Sequence, residues 1–354
     1  MLLETCVVCV YPIPVFSYAL KIGEKGTRAV SICDITTNEG SICMREDVTF
    51  LSAGTSCAGW LYVPDDLEGG EERPAIVVAH GFSAVKEMYL SNFAEKFEEA
   101  GFVVLVFDYR YFGDSEGEPR GRLIPHEQHE DYKNAITWIS QRPEVDASRI
   151  GVWGSSYSGA HVLHLAAFDK RIKAAVAQVP LVDGWANAQR LMRPDVFAEF
   201  IEAVAQDRVQ RYTEGSGASV PVVAPEGEPS ALPTPESYEW FTHTGETIAP
   251  NWRNEVSLES MEAFLEYNPA ANIHLISPTP LLMIVAGGDT LTPTDLAVAA
   301  YERALEPKSL VIMDGKHFDA YTEPGLSQAA PPAVEWFEQH LMGRQRARAG
   351  EAVS

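Results

Sequence analysis

The chain has 354 residues, 46% hydrophobic and 22% charged, with 50 acidic against 27 basic side chains and a formal net charge of −23. Such a hydrophobic share excludes wholesale disorder and allows one large α/β domain with an insertion, or two domains. The acidity argues against nucleic acid and anionic membranes as partners and favours solubility; homo-oligomerisation is left open.

The five cysteines stand at positions 6, 9, 33, 43 and 57. Cys6-x-x-Cys9 has no second pair and no histidines at zinc spacing, so neither metal nor redox use is expected. The absence of cysteine from Ala58 onward fits a reducing, cytoplasmic compartment. Residues 2–20 are apolar, but Glu4, Pro12 and Pro14 and the lack of a basic leading region make them a poor signal peptide and a poor membrane span. Residues 1–43 read as an accessory segment or an over-long start, with an ordinary domain start at Met44.

Residues 48–50 and 58–63 predict an antiparallel pair at a sheet edge. The apolar run 75–79 predicts a strand buried on both faces, followed by His80-Gly81-Phe82 and a helix over 88–100. The next strand, 102–107, leads into Asp108-Tyr109-Arg110-Tyr111-Phe112-Gly113-Asp114-Ser115, where Arg110 and Asp114 read as a structural pair. A helix over 128–141 carries Tyr132, Ile136 and Ile139 on one face. A strand to Gly154, a helix from Tyr157 and a strand over 174–178 follow.

The strand–helix alternation then breaks. Residues 183–278 hold helical patches at 196–209, 237–241 and 258–267 around a Gly/Pro/Ser-rich stretch, 213–235. Such an insertion is expected to form a cap over the C-terminal edge of the sheet. Strands at 281–286 and 309–313 and helices at 293–305 and 332–341 resume the pattern. Thr292 before Pro293 reads as the N-cap of the first of these helices. The core is thus expected at 44–182 and 279–342, the cap at 183–278 and a frayed tail at 343–354. No internal repeat is present.

The segment Val152-Trp153-Gly154-Ser155-Ser156-Tyr157-Ser158-Gly159 sits where a buried strand turns into a helix, the context of a nucleophile elbow. A serine at the tip of such a turn needs small residues two places before and after it. For Ser156 these are Gly154 and Ser158; for Ser155 they would be Trp153 and Tyr157, which are too large. Ser156 is therefore the candidate nucleophile.

A serine hydroxyl needs a base, and the base an orienting acid, in the chain order Ser, Asp/Glu, His. Asp289 follows the strand 281–286 and is the candidate acid, with Asp183 its main rival. His317 follows the last strand and is the candidate base. His126, His129, His161, His164, His243 and His274 read as structural or surface groups. The backbone N–H groups of Phe82 and Tyr157 are the candidate oxyanion donors, and His80 is expected to brace the loop that carries Phe82.

With these residues placed, the runs His80-Gly81-Phe82, Asp108 to Ser115 and Trp153 to Gly159 resemble the α/β-hydrolase superfamily. Within it they are similar to the dienelactone-hydrolase-like and Xaa-Pro-peptidase-like branch that also contains fungal polyketide transferases. The resemblance spans about 44–342. It implies an α/β fold with a mostly parallel twisted sheet, the triad Ser156, Asp289 and His317, and no metal or organic cofactor. Members with peptidase activity carry a C-terminal β-sandwich where one helix and a short tail follow His317 here, so that activity is not carried over. Dienelactone hydrolases use cysteine where Ser156 stands, so neither is theirs.

The leading expectation is a carboxylesterase acting on a small-molecule ester. The apolar cap residues Trp185, Leu191, Met192, Phe197, Phe200, Trp240, Phe241 and Trp252 would wall its pocket or form the cap's own core. The alternatives are thioester cleavage or acyl transfer on polyketide-like chains, and a non-catalytic binding protein on the same fold. A carboxylate nucleophile, required for epoxide hydrolysis or dehalogenation, is absent at position 156.

Overall fold

The computed structural model describes residues 45–344; the accessory reading of 1–43 and the tail reading beyond 344 lie outside them. Strands β1 (Arg45–Ser52) and β2 (Thr55–Tyr62) form an antiparallel edge pair. The central strands are β3 (Arg73–Ala79), β4 (Val103–Phe107), β5 (Val145–Ser155), β6 (Ile172–Gln178), β9 (Leu281–Ala286) and β10 (Lys308–Met313). They run parallel in the order β4-β3-β5-β6-β9-β10, and β2 joins β4 antiparallel. Every residue of β4 and β9 is buried, as continuous Val/Leu/Ile runs require when both sheet faces are covered. The fold is an α/β-hydrolase fold, as the motifs imply.

The flanking helices are α1 (Leu90–Glu99), α2 (Pro125–Ile139), α3 (Tyr157–Phe168), α8 (Thr294–Arg303) and α9 (Leu326–Phe337). The Phe97 and Phe337 rings, 5.4 Å apart, join α1 to α9. Tyr132, Ile136 and Ile139 of α2 are fully buried. The last helix departs from expectation: α9 begins at Leu326 and contains Pro331 and Pro332, and 338–342 continues it as a π-turn. Its small residues Ala329, Ala330 and Ala333 are buried, so packing overrides the cost of two prolines that lack N–H donors.

Between β6 and β9 the chain passes through α4 (Gly184–Leu191), α5 (Pro194–Glu214), α6 (Pro235–Thr247) and α7 (Leu258–Glu266), with a two-residue pair β7 (Ser219–Val220) and β8 (Val256–Ser257). The eight-residue α4 was not foreseen from the periodicity; its buried positions, Gly184, Asn187 and Ala188, are small or polar and leave no apolar stripe to read.

Strand order determines where the chemistry lies. The chain steps one way from β3 to β4 and then crosses back over β3 to β5, so β3 and β5 are neighbours at the point where the order reverses. Loops after such strands diverge and leave a crevice at the carboxyl edge. Ala79 pairs with Gly154, which puts the start of the His80 loop beside the end of β5.

Candidate active site

β5 ends at Ser155 and α3 starts at Tyr157, so Ser156 alone makes the reversal, with φ 59° and ψ −116°. A Cβ at position 154 would lie 2.4 Å from the Ser158 carbonyl oxygen, so only glycine fits there. Ser156 N–H donates to the Gln178 carbonyl (2.8 Å), and the Ser156 carbonyl accepts from Ala160 N–H and Leu181 N–H (both 3.1 Å). Backbone in this region costs about 1–3 kcal/mol and persists only where neighbours over-determine it. Ser155 is buried, and its hydroxyl accepts from the Tyr321 hydroxyl at 2.7 Å.

Three loops at the carboxyl edge bring the predicted side chains together. His317 Nε2 lies 3.0 Å from Ser156 Oγ, and His317 Nδ1 lies 2.7 Å from Asp289 Oδ2. A proton on Nδ1 directed at the carboxylate leaves the Nε2 lone pair facing the serine hydroxyl. Asp289 Oδ1 accepts from Leu291 N–H (2.9 Å) and Thr292 N–H (2.8 Å), which fixes the carboxylate plane. Asp183 lies elsewhere: it caps α4 by accepting from Ala186 N–H (2.9 Å) and also accepts from the Asn268 amide (2.7 Å).

Thr292 corrects the sequence reading. It is not the cap of α8, which begins at Thr294 after Pro293 and has no side-chain cap. Its hydroxyl instead lies 2.9 Å from Asp289 Oδ2, 3.1 Å from His317 Nδ1 and 3.0 Å from the Val179 carbonyl. A threonine before proline carries a strong local capping signal, and nothing in local spacing reveals a bond to a histidine 25 residues away.

The loop after β3 presses on the serine. A Cβ on Gly81 would sit 3.0 Å from Ser156 Cβ, so the Gly81-Phe82 backbone lies directly against it. The Phe82 and Tyr157 rings meet edge to face at 5.5 Å, and both residues border the space over Ser156. His80 braces this loop: Nδ1 donates to the Gly81 carbonyl (3.0 Å), and Nε2 accepts from Tyr109 N–H (3.4 Å). Burial pushes its pKa down to about 4, so the ring is neutral and suited to this donor-acceptor role.

Behind the loop, the carboxylates of Glu87, Asp108 and Asp114 converge within 4.8 Å, a donor set that could hold a cation. The Lys86 ammonium bonds all three, at 2.7 Å to Glu87 and 2.9 Å to Asp108, and supplies that positive charge itself. Asp114 thus pairs with Lys86 and not with Arg110, contrary to expectation. Arg110 instead donates to Asp131 of α2 through Nε (2.7 Å). A local spacing of four residues gave no means of seeing these partners 28 and 21 positions away. His129, His161 and Tyr267 form a buried hydrogen-bonded cluster (2.9–3.0 Å) under Tyr157, a structural role as expected.

Two narrow lobes flank Ser156. One, about 30 Å³, is lined by Leu181, Leu191, Met192, Phe200, Met261 and Phe264. The other, about 20 Å³, is lined by Met88, Leu90, Trp240, Phe241, Phe318 and Tyr321. The expected apolar wall therefore divides: Leu191, Met192, Phe200, Trp240 and Phe241 face the lobes, while Trp185 packs on Phe197 (5.2 Å) and Trp252 stacks on Phe241 (5.3 Å). Among the described residues, no helix is long and apolar enough to cross a membrane.

Comparison with known proteins agrees with this architecture. The chain is 36% identical over 317 residues to a thiohydrolase of Aspergillus aculeatus, covering 86% of this chain and 96% of that one. It is 31% identical over 298 residues to a quorum-quenching protein of Acinetobacter baumannii, covering 83% and 94% of the two chains. Among solved structures, the α/β hydrolase GrgF of Penicillium superposes with a TM-score of 0.72 at 28% identity, covering 84% of this chain and 99% of that one. Residues 54–319 match the family model described as X-Pro dipeptidyl-peptidase (S15 family). The chain belongs to that family, a branch of the α/β-hydrolases.

Proposed function

We propose that the protein hydrolyses carboxylic esters through an acyl-enzyme, with Ser156 as nucleophile, His317 as base and Asp289 as its orienting acid. The observation that carries this reading is the 3.0 Å approach of His317 Nε2 to the hydroxyl of a serine held at φ 59°. Ser156 Oγ bonds to the acyl carbon as its proton passes to Nε2. The carbonyl oxygen takes up the charge and is received by the N–H groups of Phe82 and Tyr157. Collapse breaks the bond to the leaving oxygen, which takes the proton back from Nε2. Water then repeats the cycle on the acyl-enzyme and releases the acid and free Ser156.

A second reading, cleavage or transfer of a thioester-borne acyl group, uses the same acyl-enzyme with sulfur leaving or another acceptor replacing water. It is favoured by the likeness to a protein named a thiohydrolase. Matched oxyester and thioester substrates, with and without a competing alcohol, separate the two through their products.

The direct test is a panel of p-nitrophenyl esters of increasing chain length on wild type and Ser156→Ala, with fluorophosphonate labelling mapped by mass spectrometry. Removing the nucleophile is expected to lower kcat by ~10⁴-fold or more. A folded wild-type protein that neither labels at Ser156 nor turns over any ester or thioester would defeat the proposal and leave a binding protein on a hydrolase fold.

A further inference from the structure

The segment between β6 and β9 borders a larger, solvent-open hollow that the chemistry above leaves unused. Its volume is about 580 Å³, within the ~300–1,000 Å³ that holds organic ligands. One wall is α5, through Val196, Phe200 and Ala203; another is the proline-rich run 219–235. Met192, Phe200, Ala231 and Met261 line both this hollow and the lobe at Ser156. The two spaces are thus neighbours across these four residues, two of which, Met192 and Met261, are unbranched thioethers with adaptable rotamers.

The composition of the hollow specifies what it would hold. Pro225, Pro229, Pro233 and Pro235, all exposed, form its outer side and contribute apolar surface without N–H donors. The run is pinned: Ala231 N–H donates to the Pro221 carbonyl (2.9 Å) and Leu232 N–H to the Val222 carbonyl (2.8 Å). The Asn254 amide brackets Val223, accepting from its N–H and donating to its carbonyl (both 2.9 Å). The hollow is therefore constructed, not a gap under a slack loop. Its charged lining residues are Glu199, Glu226 and Glu228, with no lysine or arginine among them. Ser230, also in the lining, has a buried hydroxyl oxygen without a hydrogen-bond partner among the described residues.

We propose that this hollow is the acyl-chain chamber of the enzyme. It takes a neutral, largely aliphatic chain too long for the lobe at Ser156. The three exposed glutamates, with no cation among the lining residues, disfavour a chain that ends in a carboxylate. The inference rests on the acyl-enzyme reading above, and its tests separate the two.

The first test compares kcat/KM for p-nitrophenyl dodecanoate and acetate in wild type, Ala203→Trp and Val209→Trp. Ala203 lines the chamber, whereas Val209 on the same helix is 63% exposed. The dodecanoate-to-acetate ratio is expected to fall about tenfold or more in Ala203→Trp and to stay at the wild-type value in Val209→Trp. An unchanged ratio in Ala203→Trp, with both esters turned over, overturns the chamber and leaves the acyl-enzyme intact. The second test needs no turnover. Calorimetric titration of Ser156→Ala with methyl undecyl ketone is expected to give binding that adding Ala203→Trp abolishes. The same ketone bearing a terminal carboxylate is expected to bind about tenfold more weakly or worse. No binding of the neutral ketone, or equal binding of the two, overturns the proposal even for a protein without esterase activity.

Discussion

Thr292→Val separates a positioning role for the hydroxyl from mere packing, because valine keeps the shape and removes only the polar atom. The Thr292 hydroxyl lies 2.9 Å from Asp289 Oδ2, 3.1 Å from His317 Nδ1 and 3.0 Å from the Val179 carbonyl. It has one proton to give, so it cannot donate to the carbonyl and the carboxylate together. Donation to the carboxylate is a charge-assisted bond of ~1.5–3 kcal/mol, made while Asp289 stabilises the imidazolium that forms on proton transfer. Its loss is expected to lower kcat about ten- to a hundredfold, with Thr292→Ser recovering most of the rate. The buried carboxylate would be left with one donor fewer, adding a Tm fall of a few degrees by calorimetry. Two results would refute the reasoning: a kcat within about twofold of wild type, or Thr292→Ser falling as far as Thr292→Val.

Three further outcomes are expected. Gly154→Ala drives a methyl to within 2.4 Å of the Ser158 carbonyl oxygen; overpacking of ~1–3 kcal/mol or more should appear in urea denaturation, together with loss of ester turnover. Lys86→Met leaves Asp108, fully buried, without its cation. Breaking such a pair costs ~3–5 kcal/mol, and adding Asp108→Asn should recover part of that in the same unfolding assay. The pH profile of stability follows from buried His80 and half-buried His164. Burial lowers the folded-state pKa of His80 and of His164 to about 4, from an ordinary value of 6.5. Between those values the unfolded chain binds the extra protons, so their contribution is complete above pH 6.5 and is lost as pH falls towards 4. Calorimetric Tm values should therefore drop across that window, and His164→Gln should reduce the slope.

The site was legible where a constraint is local and severe. The small residues at 154 and 158 select Ser156 because the turn brings their backbones together, and β9 reads correctly as a strand because a fully buried strand must be apolar throughout. His317 is found from its place after the last strand, since the carboxyl edge is where loops converge. What the sequence left unread depends on distant pairing. Arg110 and Asp114 are close in the chain, yet each finds its charge partner on another element, Asp131 and Lys86. Thr292 carries a genuine capping signal that its tertiary neighbours override. The wall of prolines at 225, 229, 233 and 235 looks like a loose loop until backbone bonds from Ala231 and Leu232 tie it to 221–222.

Backbone strain explains why these features gather on one edge. Six non-glycine residues among those described have positive φ, and five of them follow the carboxyl ends of parallel strands: Ser83 and Tyr89 after β3, Tyr111 after β4, Ser156 after β5 and Val179 after β6. At about 1–3 kcal/mol each, this strain rivals a typical net folding stability of ~5–15 kcal/mol, so the surroundings must enforce every one. They do so by cross-bracing neighbouring strands. Val179 N–H donates to the Ile284 carbonyl of β9 (2.6 Å) and Ser156 N–H to the Gln178 carbonyl of β6 (2.8 Å). From the inserted segment, the Trp252 indole N–H donates to the Ser83 carbonyl (2.9 Å). The Thr292 hydroxyl lies 3.0 Å from the carbonyl of strained Val179 and 2.9 Å from Asp289 Oδ2, so one side chain sits between the end of β6 and the carboxylate. These braces tie the strand ends and the inserted segment to one another, so the geometry at Ser156 is a property of the whole carboxyl edge.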